Sequence, residues 1–364
     1  MNAQTNDFIN SGPSGPLETR ILVKGCTIDA PGTWCYESAL QYEPQVVQGK
    51  KAHILRLHIA DPSSRLLNLD KDDARIWIGG EAEKKVFFER VNDILLDDGS
   101  GRYFSRKTTR EMNLEAHELR ETLTIEVWFS DEITLLHGPM ITHTRFANDL
   151  RLSFDDIGDQ LALSSGYYPK MIKGLVDFAG KIHQSQIARG VTANGALAGF
   201  YEQYHEGLSR DAYHELASSV VQEVSVLFNT VLARYCRKRK VPILYRNVGK
   251  RIKREVKKET RIVKPWTNGL QERFLQLFRP LDRVVIKTVE IEEYEQTKDV
   301  DMFYSTVAVC HAGLRIPEYA TFGAPLRCPV SLMNLLQISA VALDKHPPFT
   351  NADLGMFSNR INAS

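Results

Sequence analysis

The sequence predicts a chain of the α/β class, in which strands alternate with long helices, and three stretches carry that reading. His53–Asp61 (HILRLHIAD) and Leu123–Phe129 (LTIEVWF) interleave branched or aromatic residues with polar ones, as half-buried strands do. Ser209–Tyr235 instead places Leu216, Val220, Val221, Val224, Leu227, Val231 and Leu232 three and four apart, the spacing of a helix with one apolar face. With 364 residues, 43% hydrophobic and 25% charged, the chain has an ordinary core-forming composition and the length of one large domain or two small ones.

Charge and cysteine content exclude several classes. A net charge of +1 gives no global attraction for a polyanion, so any basic surface is local. Five cysteines (Cys26, Cys35, Cys236, Cys310, Cys328), an odd set without a C-x-x-C pair, argue against a zinc site or a disulfide framework. They point to a reducing, intracellular compartment, the cytoplasm first and the mitochondrion second. No apolar run is expected to reach the ~18 residues of a membrane span. Residues 1–20, polar and rich in Gly, Pro and Ser, resemble neither a signal peptide nor an Arg-rich transit peptide and are expected as a mobile arm.

In chain order, Thr27–Leu40 (TIDAPGTWCYESAL) opens as a strand end at Ile28, turns at Pro31-Gly32, and returns to apolar residues at Ala39 and Leu40. Asp29 and Glu37 flank the turn, and two carboxylates so placed suit a hard divalent cation, which needs several oxygens in one small volume. His53–Asp61 closes at Asp61-Pro62, where a turn-forming aspartate is the plain alternative to a functional one. The acidic clusters Asp70–Asp73 and Asp97-Asp98 lack the spacing of a calcium loop and read as solvated loops. After Leu123–Phe129 comes another strand around Pro139–Arg145, then a helix from Ser153 to Leu161 capped by Ser153 or Asp155. Lys170–Gly207 is helical in pattern, with Ala188–Gly199 expected as a loop, and Ser209 with Asp211 starts the long helix. Arg234–Lys264 is dense in Lys and Arg, interrupted by Val241–Tyr245. Cations interleaved with an aromatic suit a phosphate track, the alternative being a solvated charged face.

These motifs carry a resemblance. Thr27–Leu40 closely resembles the metal-binding signature of the RNase II/RNase R family (the RNB domain), I-D-P-P-G-A-R-D-x-D-D-A-L. Asp29, Pro31, Gly32, Ala39 and Leu40 are kept, whereas Cys35, Glu37 and Ser38 replace the second, third and fourth aspartates. Ile59-Ala60-Asp61-Pro62-Ser63 is similar to the family's H-I-A-D-P/V-S strand. Phe154 stands at the nucleotide-clamping tyrosine of L-x-Y-D-x-V. Gln222, Glu223 and Asn229 fit polar positions of the family's core helix, where satisfied buried groups are the plainer account. Val241–Tyr245 resembles I-P-A-L-Y-R. Tyr319, Ala320, Thr321, Phe322, Pro325 and Arg327 fit Y-A-x-F/W-T-S-P-I-R-R-Y-x-D-L-x-x-H, while Cys328 replaces its second arginine, Pro329 the tyrosine, Ser331 the aspartate and Leu335 the histidine.

The resemblance implies an RNB-domain exoribonuclease fold over residues 21–345, an α/β (α+β-like) mixed sheet with long helices around an RNA channel. Residues 1–20 and 346–364 then form an arm and a tail, with no room for the family's flanking cold-shock and S1 modules. It implies RNA contacts from Phe154, Arg237, Lys238, Arg239, Lys240, Tyr245, Arg246, Tyr319 and Arg327, and a vestigial catalytic set of Asp29, Cys35, Glu37, Ser38 and Arg327. Cysteine and serine are poor magnesium ligands, because magnesium prefers charged oxygens in near-octahedral geometry. The implied protein is therefore a non-catalytic RNA-binding or scaffolding pseudoenzyme without a cofactor. A residual 3′–5′ exoribonuclease would use Mg2+ or Mn2+ on Asp29, Glu37 and Asp61, and a protein-interaction module would keep only the fold. Single-stranded RNA or a protein partner is expected, with no DNA and no membrane.

Overall fold

The computed structural model describes residues 20–47, 49–66, 104, 106–188, 190–191, 195–249 and 301–362. The acidic clusters at 70–73 and 97–98, the arm at 1–19 and the basic residues 250–264 lie outside them.

Five strands form a closed barrel: β1 (Ile21–Asp29), β2 (Ser38–Val47), β3 (Lys50–Ala60), β4 (Leu119–Ser130) and β5 (Leu135–Ser153). Successive strands pair antiparallel, and a parallel pairing of β1 with β5 closes the ring, so the sheet is mixed as expected. Closure leaves the barrel with no free edge. The alternation of β3 and β4 sets its two faces. Leu55, Leu57 and Ile59 pair with Val127, Ile125 and Leu123, and this apolar face joins the larger core cluster with the helices at Tyr167–Ala188 and Arg210–Arg239. The other face carries polar groups, Arg56 and His58 opposite Glu126 and Thr124, beside Ile54. His58 on β3 stacks on Phe146 of β5, 5.0 Å between centroids, although β4 separates their strands. A Cβ on Gly25 of β1 would lie 2.7 Å from the Leu40 carbonyl and 3.2 Å from the His58 ring. Contacts between non-neighbouring strands run through the barrel interior, and only glycine fits at that crossing.

Helices α1 (Ser63–Leu66) and α2 (Arg106–Met112) are short; α3 (Ile157–Ala162) follows a 3-10 turn at Phe154–Asp156 whose N-cap is Ser153, as expected. Helix α4 (Tyr167–Ala188) packs on β2 so closely that a side chain at Gly174 would strike the Tyr42 ring at 2.2 Å. The expected loop at 188–199 is corrected: α5 (Gly195–Gln203) begins within it. Docking explains this, since Phe200 and Tyr201 pack on the core and the Tyr201 hydroxyl donates to Ser219 Oγ at 2.9 Å. Tertiary contact overrides the weak propensity of glycine.

Helix α6 (Arg210–Arg239) is capped by Ser209 and runs one turn past its expected end. Its last turn holds Arg237, Lys238 and Arg239, where cations oppose the negative end of the helix dipole. It is long and apolar enough to cross a membrane by length and composition, against the expectation of no such run. However, 72% of its apolar window is buried inside the protein, as befits a core helix.

Residues 241–244 have no regular structure, Pro242 lacking a donor, and β6 (Tyr245–Gly249) pairs with β7 (Asp301–Ser305). Helix α7 (Pro329–Ala342) starts on Pro329, a residue suited to a first helical turn. The expected tail holds α8 (Asn351–Ile361), capped by Thr350 with Asp353, whose Leu354 and Phe357 enter the second core cluster. The tail expectation is therefore corrected over residues 351–361.

Candidate functional site

The site grows from the β1–β2 connection. Strand β1 delivers Asp29, Thr33 N–H donates to the Ala30 carbonyl at 3.1 Å, and Gly32 takes φ +78°, which Pro31-Gly32 predicts. Asn113 braces the loop: Tyr36 N–H donates to its Oδ1, and its Nδ2 donates to the Trp34 carbonyl at 3.3 Å. Leu114 N–H donates to the Tyr36 carbonyl at 2.9 Å, and the Arg151 guanidinium lies over the Tyr36 ring at 4.8 Å. The loop is fixed on both sides of Cys35.

This rigid loop brings Asp29, Cys35 and Glu37 to Arg327, which arrives from the segment before α7. Glu37 is 2% exposed. Its Oε1 accepts from Leu326 N–H at 2.6 Å, and its Oε2 accepts from Arg327 Nε. Burial raises the Glu37 carboxyl above its ordinary range, with Arg327 and the Leu326 amide opposing. Asp29 is pushed up to about 6, by burial first and also by Glu37, against Arg327 and Arg151; its Oδ2 is buried without a hydrogen-bond partner. Burial, with Glu37 beside it, pushes the Cys35 thiol up to about 12, so it is protonated at neutral pH. Ser38 opens β2 opposite Ile59 and carries no charge.

This donor set does not fit a magnesium or manganese cage. A hard cation needs several free anionic oxygens. Glu37 has one oxygen on an amide and the other on a guanidinium, Cys35 is a neutral thiol, and Asp29 remains as one carboxylate. Among the described residues no group of three or more His, Cys, Asp or Glu is placed to hold a metal ion. Asp61, expected as a further ligand, is corrected: it is 2% exposed, accepts from Ser63 N–H at 2.9 Å, and lies 2.8 Å from His143 Nδ1. Burial opposes its charge, yet His143 and Ser63 hold the carboxyl below its usual range. His143 continues to Ser339 Oγ at 3.1 Å, so this network ties β3 and β5 to α7.

The residues expected to bind RNA separate into four groups. Tyr245 and Tyr319 are corrected as stacking platforms: they are 5% and 7% exposed, and the Tyr319 hydroxyl accepts from Asn229 Nδ2 at 3.1 Å. Buried rings cannot offer a face to a base. Phe154 packs on the core and meets His214 edge to face at 5.4 Å, near the start of α6. Arg237, Lys238, Arg239 and Lys240 lie at its far end, about 35 Å along the axis at 1.5 Å per residue. There Arg237 pairs with Glu318, Arg239 lies 5.1 Å over Tyr235, and Lys238 and Lys240 are exposed. Arg246 is half-buried on β6, and the Arg327 side chain is 54% exposed.

Two bracing residues escape a reading of motifs. Asn113 is one; Asn334 is the other, accepting from Leu244 N–H at 2.7 Å and donating to the Leu244 and Thr321 carbonyls at 2.9 and 3.1 Å. Its signal in the sequence is an amide inside the apolar run PVSLMNLL, since a buried amide needs several partners.

Solved structures share this architecture. An active-site mutant of the Dss1 exoribonuclease from Candida glabrata aligns with TM-score 0.60 and 15% identity, over 95% of this chain and 44% of that one. Mycoplasma genitalium RNase R in complex with ribose-methylated single-stranded RNA gives 0.59 and 14%, over 94% and 55%. Yeast Ssd1, described as a pseudonuclease, gives 0.58 and 15%, over 95% and 43%. The chain thus spans about half the length of these structures, and identities this low show the shared fold. No curated protein matches the chain by sequence. The RNB domain matches residues 22–342. On that match, in which the loop carrying Glu37 and the segment carrying Arg327 both fall, the chain belongs to the RNB-domain family.

Proposed function

We propose that this chain is a pseudonuclease, an RNB-fold protein that binds single-stranded RNA without shortening it. One observation carries the reading: both carboxylate oxygens of Glu37 are occupied within the protein, by Leu326 N–H and by Arg327. Two-metal hydrolysis needs carboxylates to hold the ions and lower the pKa of the attacking water, and a guanidinium to hold the phosphate. Here the carboxylate and the guanidinium satisfy each other. The description of yeast Ssd1 as a pseudonuclease and the RNase R complex with single-stranded RNA are compatible with this reading.

The test is incubation of the purified protein with 5′-labelled single-stranded RNA and Mg2+ or Mn2+, beside a binding titration. The expected result is salt-dependent binding with the RNA kept at full length. A ladder of shortened products that needs metal and disappears in Asp29→Asn would overturn the proposal.

A further inference from the structure

We propose that Trp34, on the loop between β1 and β2, is a stacking platform for an unpaired RNA base beside the vestigial site. The inference deepens the RNA-binding reading and rests on it. Trp34 stands where the signature I-D-P-P-G-A-R-D-x-D-D-A-L has its arginine, so the ring is this chain's own departure from the pattern.

The loop itself aims the side chain. From Trp34 to Ala39 exposure alternates residue by residue: Cys35, Glu37 and Ala39 are buried, Trp34 is 48% exposed, and Tyr36 and Ser38 are half-buried. Period two is the mark of an extended chain, whose side chains point to opposite sides in turn. The inward side holds what is left of the catalytic set, and Glu37 spends its charge there on Arg327. The outward side holds the aromatics. Tyr36 is tied down, because its hydroxyl donates to the Thr33 carbonyl at 2.6 Å and the Arg151 guanidinium lies over its ring. Trp34 keeps nearly half its surface in water. Among the described residues the other exposed aromatic is Tyr167, whose hydroxyl accepts from Gln41 Nε2 at 3.1 Å and whose ring meets Tyr168 edge to face.

The surroundings suit a base on a single strand. Tryptophan is on average a highly buried residue, yet here it lies open next to a cysteine that is 1% exposed. Its backbone is already fixed: Asn113 holds the Trp34 carbonyl and the Tyr36 N–H, so binding orders no flexible segment. Tyr36, two residues along the same side, brings the cation of Arg151, whose side chain is 46% exposed and pairs with Glu115 at 3.2 Å. An indole near a guanidinium is the combination that single strands use, rings taking bases and cations taking phosphates. Stacking of this kind needs an unpaired base, and it accepts any of the four because each has a π face.

The test compares wild type, Trp34→Ala and Trp34→Phe in salt titrations of affinity for single-stranded RNA and for a fully paired duplex. Trp34→Ala is expected to bind the single strand about tenfold more weakly, the worth of one stacked base, with an unchanged salt slope because no charge is lost. Trp34→Phe should recover most of that affinity, and duplex binding should be the same in all three. RNA should quench tryptophan fluorescence in wild type and lose most of that quenching in Trp34→Phe, although only one of four tryptophans is replaced. Circular dichroism melts keep folding apart from binding, and Trp34→Phe carries the fluorescence test whatever Trp34→Ala does to stability. If wild type binds the single strand and Trp34→Ala binds it equally well, the assignment is overturned and the RNA reading stands. A Trp34→Ala loss that Trp34→Phe does not relieve, or that is as large on duplex, also overturns it. If wild type binds no RNA, the RNA reading fails and the platform with it. Self-association that disappears in Trp34→Ala, read by sedimentation, would then mark the ring as a protein contact instead.

Discussion

Arg327→Gln is the most informative single change, because it removes the partner of a carboxylate that has nowhere else to go. In the variant, Glu37 keeps the Leu326 N–H but loses its guanidinium while remaining 2% exposed. Breaking a fully buried ion pair from one side costs about 3–5 kcal/mol. The Arg327 side chain is 54% exposed, so solvent screens part of the interaction and we expect about 2 kcal/mol. The loss should depend on pH with a definite sign. Removing Arg327 removes an influence that lowers the Glu37 carboxyl, so its folded pKa rises further above the unfolded value. Between those two values the native state binds more protons than the unfolded state, and stability falls as pH rises. The destabilisation relative to wild type is therefore smallest near the ordinary carboxyl range, at about pH 4–5, and grows as pH rises through the raised folded value. Glu37→Gln/Arg327→Gln removes both charges and leaves an amide oxygen for Leu326, so it should recover most of the loss. The assay is urea denaturation of wild type, both singles and the double at pH 5 and pH 8, followed by circular dichroism. A coupling below about 0.5 kcal/mol, or an Arg327→Gln loss independent of pH, would refute the view that Glu37 and Arg327 neutralise each other.

Three further outcomes are expected. Tyr245→Ala should cost about 3–5 kcal/mol in denaturant titrations, as a buried aromatic in the core cluster does, and leave the salt slope of RNA binding unchanged. The triple variant Cys35→Asp, Glu37→Asp, Ser38→Asp should degrade no RNA and lose stability, since Cys35 is 1% exposed and a carboxylate there is buried without a partner; robust metal-dependent degradation by it would show the site to be intact apart from its acids. His58 is held down to about 3, by burial first and Arg56 after it, so its NMR shifts should stay flat from pH 8 to pH 5. Its folded pKa lies below the unfolded ~6.5, so it contributes to stability above that pH and the contribution fades as pH falls, by up to about 1.4 kcal/mol per pH unit.

The sequence by itself determined the local elements and the frame of the site. Alternation placed β3 and β4, three-and-four spacing with Ser209 placed α6, and Pro31-Gly32 placed the turn between Asp29 and Glu37. These features are written in neighbouring residues, whose steric and capping preferences act over one or two turns. The motif order also carried the loss of three of four metal-site aspartates and of the second arginine. What only the tertiary structure decided involves residues far apart in the chain. Glu37 and Arg327 are separated by 290 positions, and each reads alone as a relic of catalysis; only the fold makes them one ion pair. The barrel closes through a parallel pairing of β1 with β5 that no local pattern announces. Tyr245 and Tyr319 look like stacking rings beside a run of cations, yet β6 turns Tyr245 inward and Asn229 takes the Tyr319 hydroxyl. Arg246, one residue further along the strand, faces the opposite way, and its Nε has no hydrogen-bond partner among the described residues. Strand period two separates these neighbours, one into the core and one away from it. Which face is the core depends on every element packed against β6, and so on the whole chain.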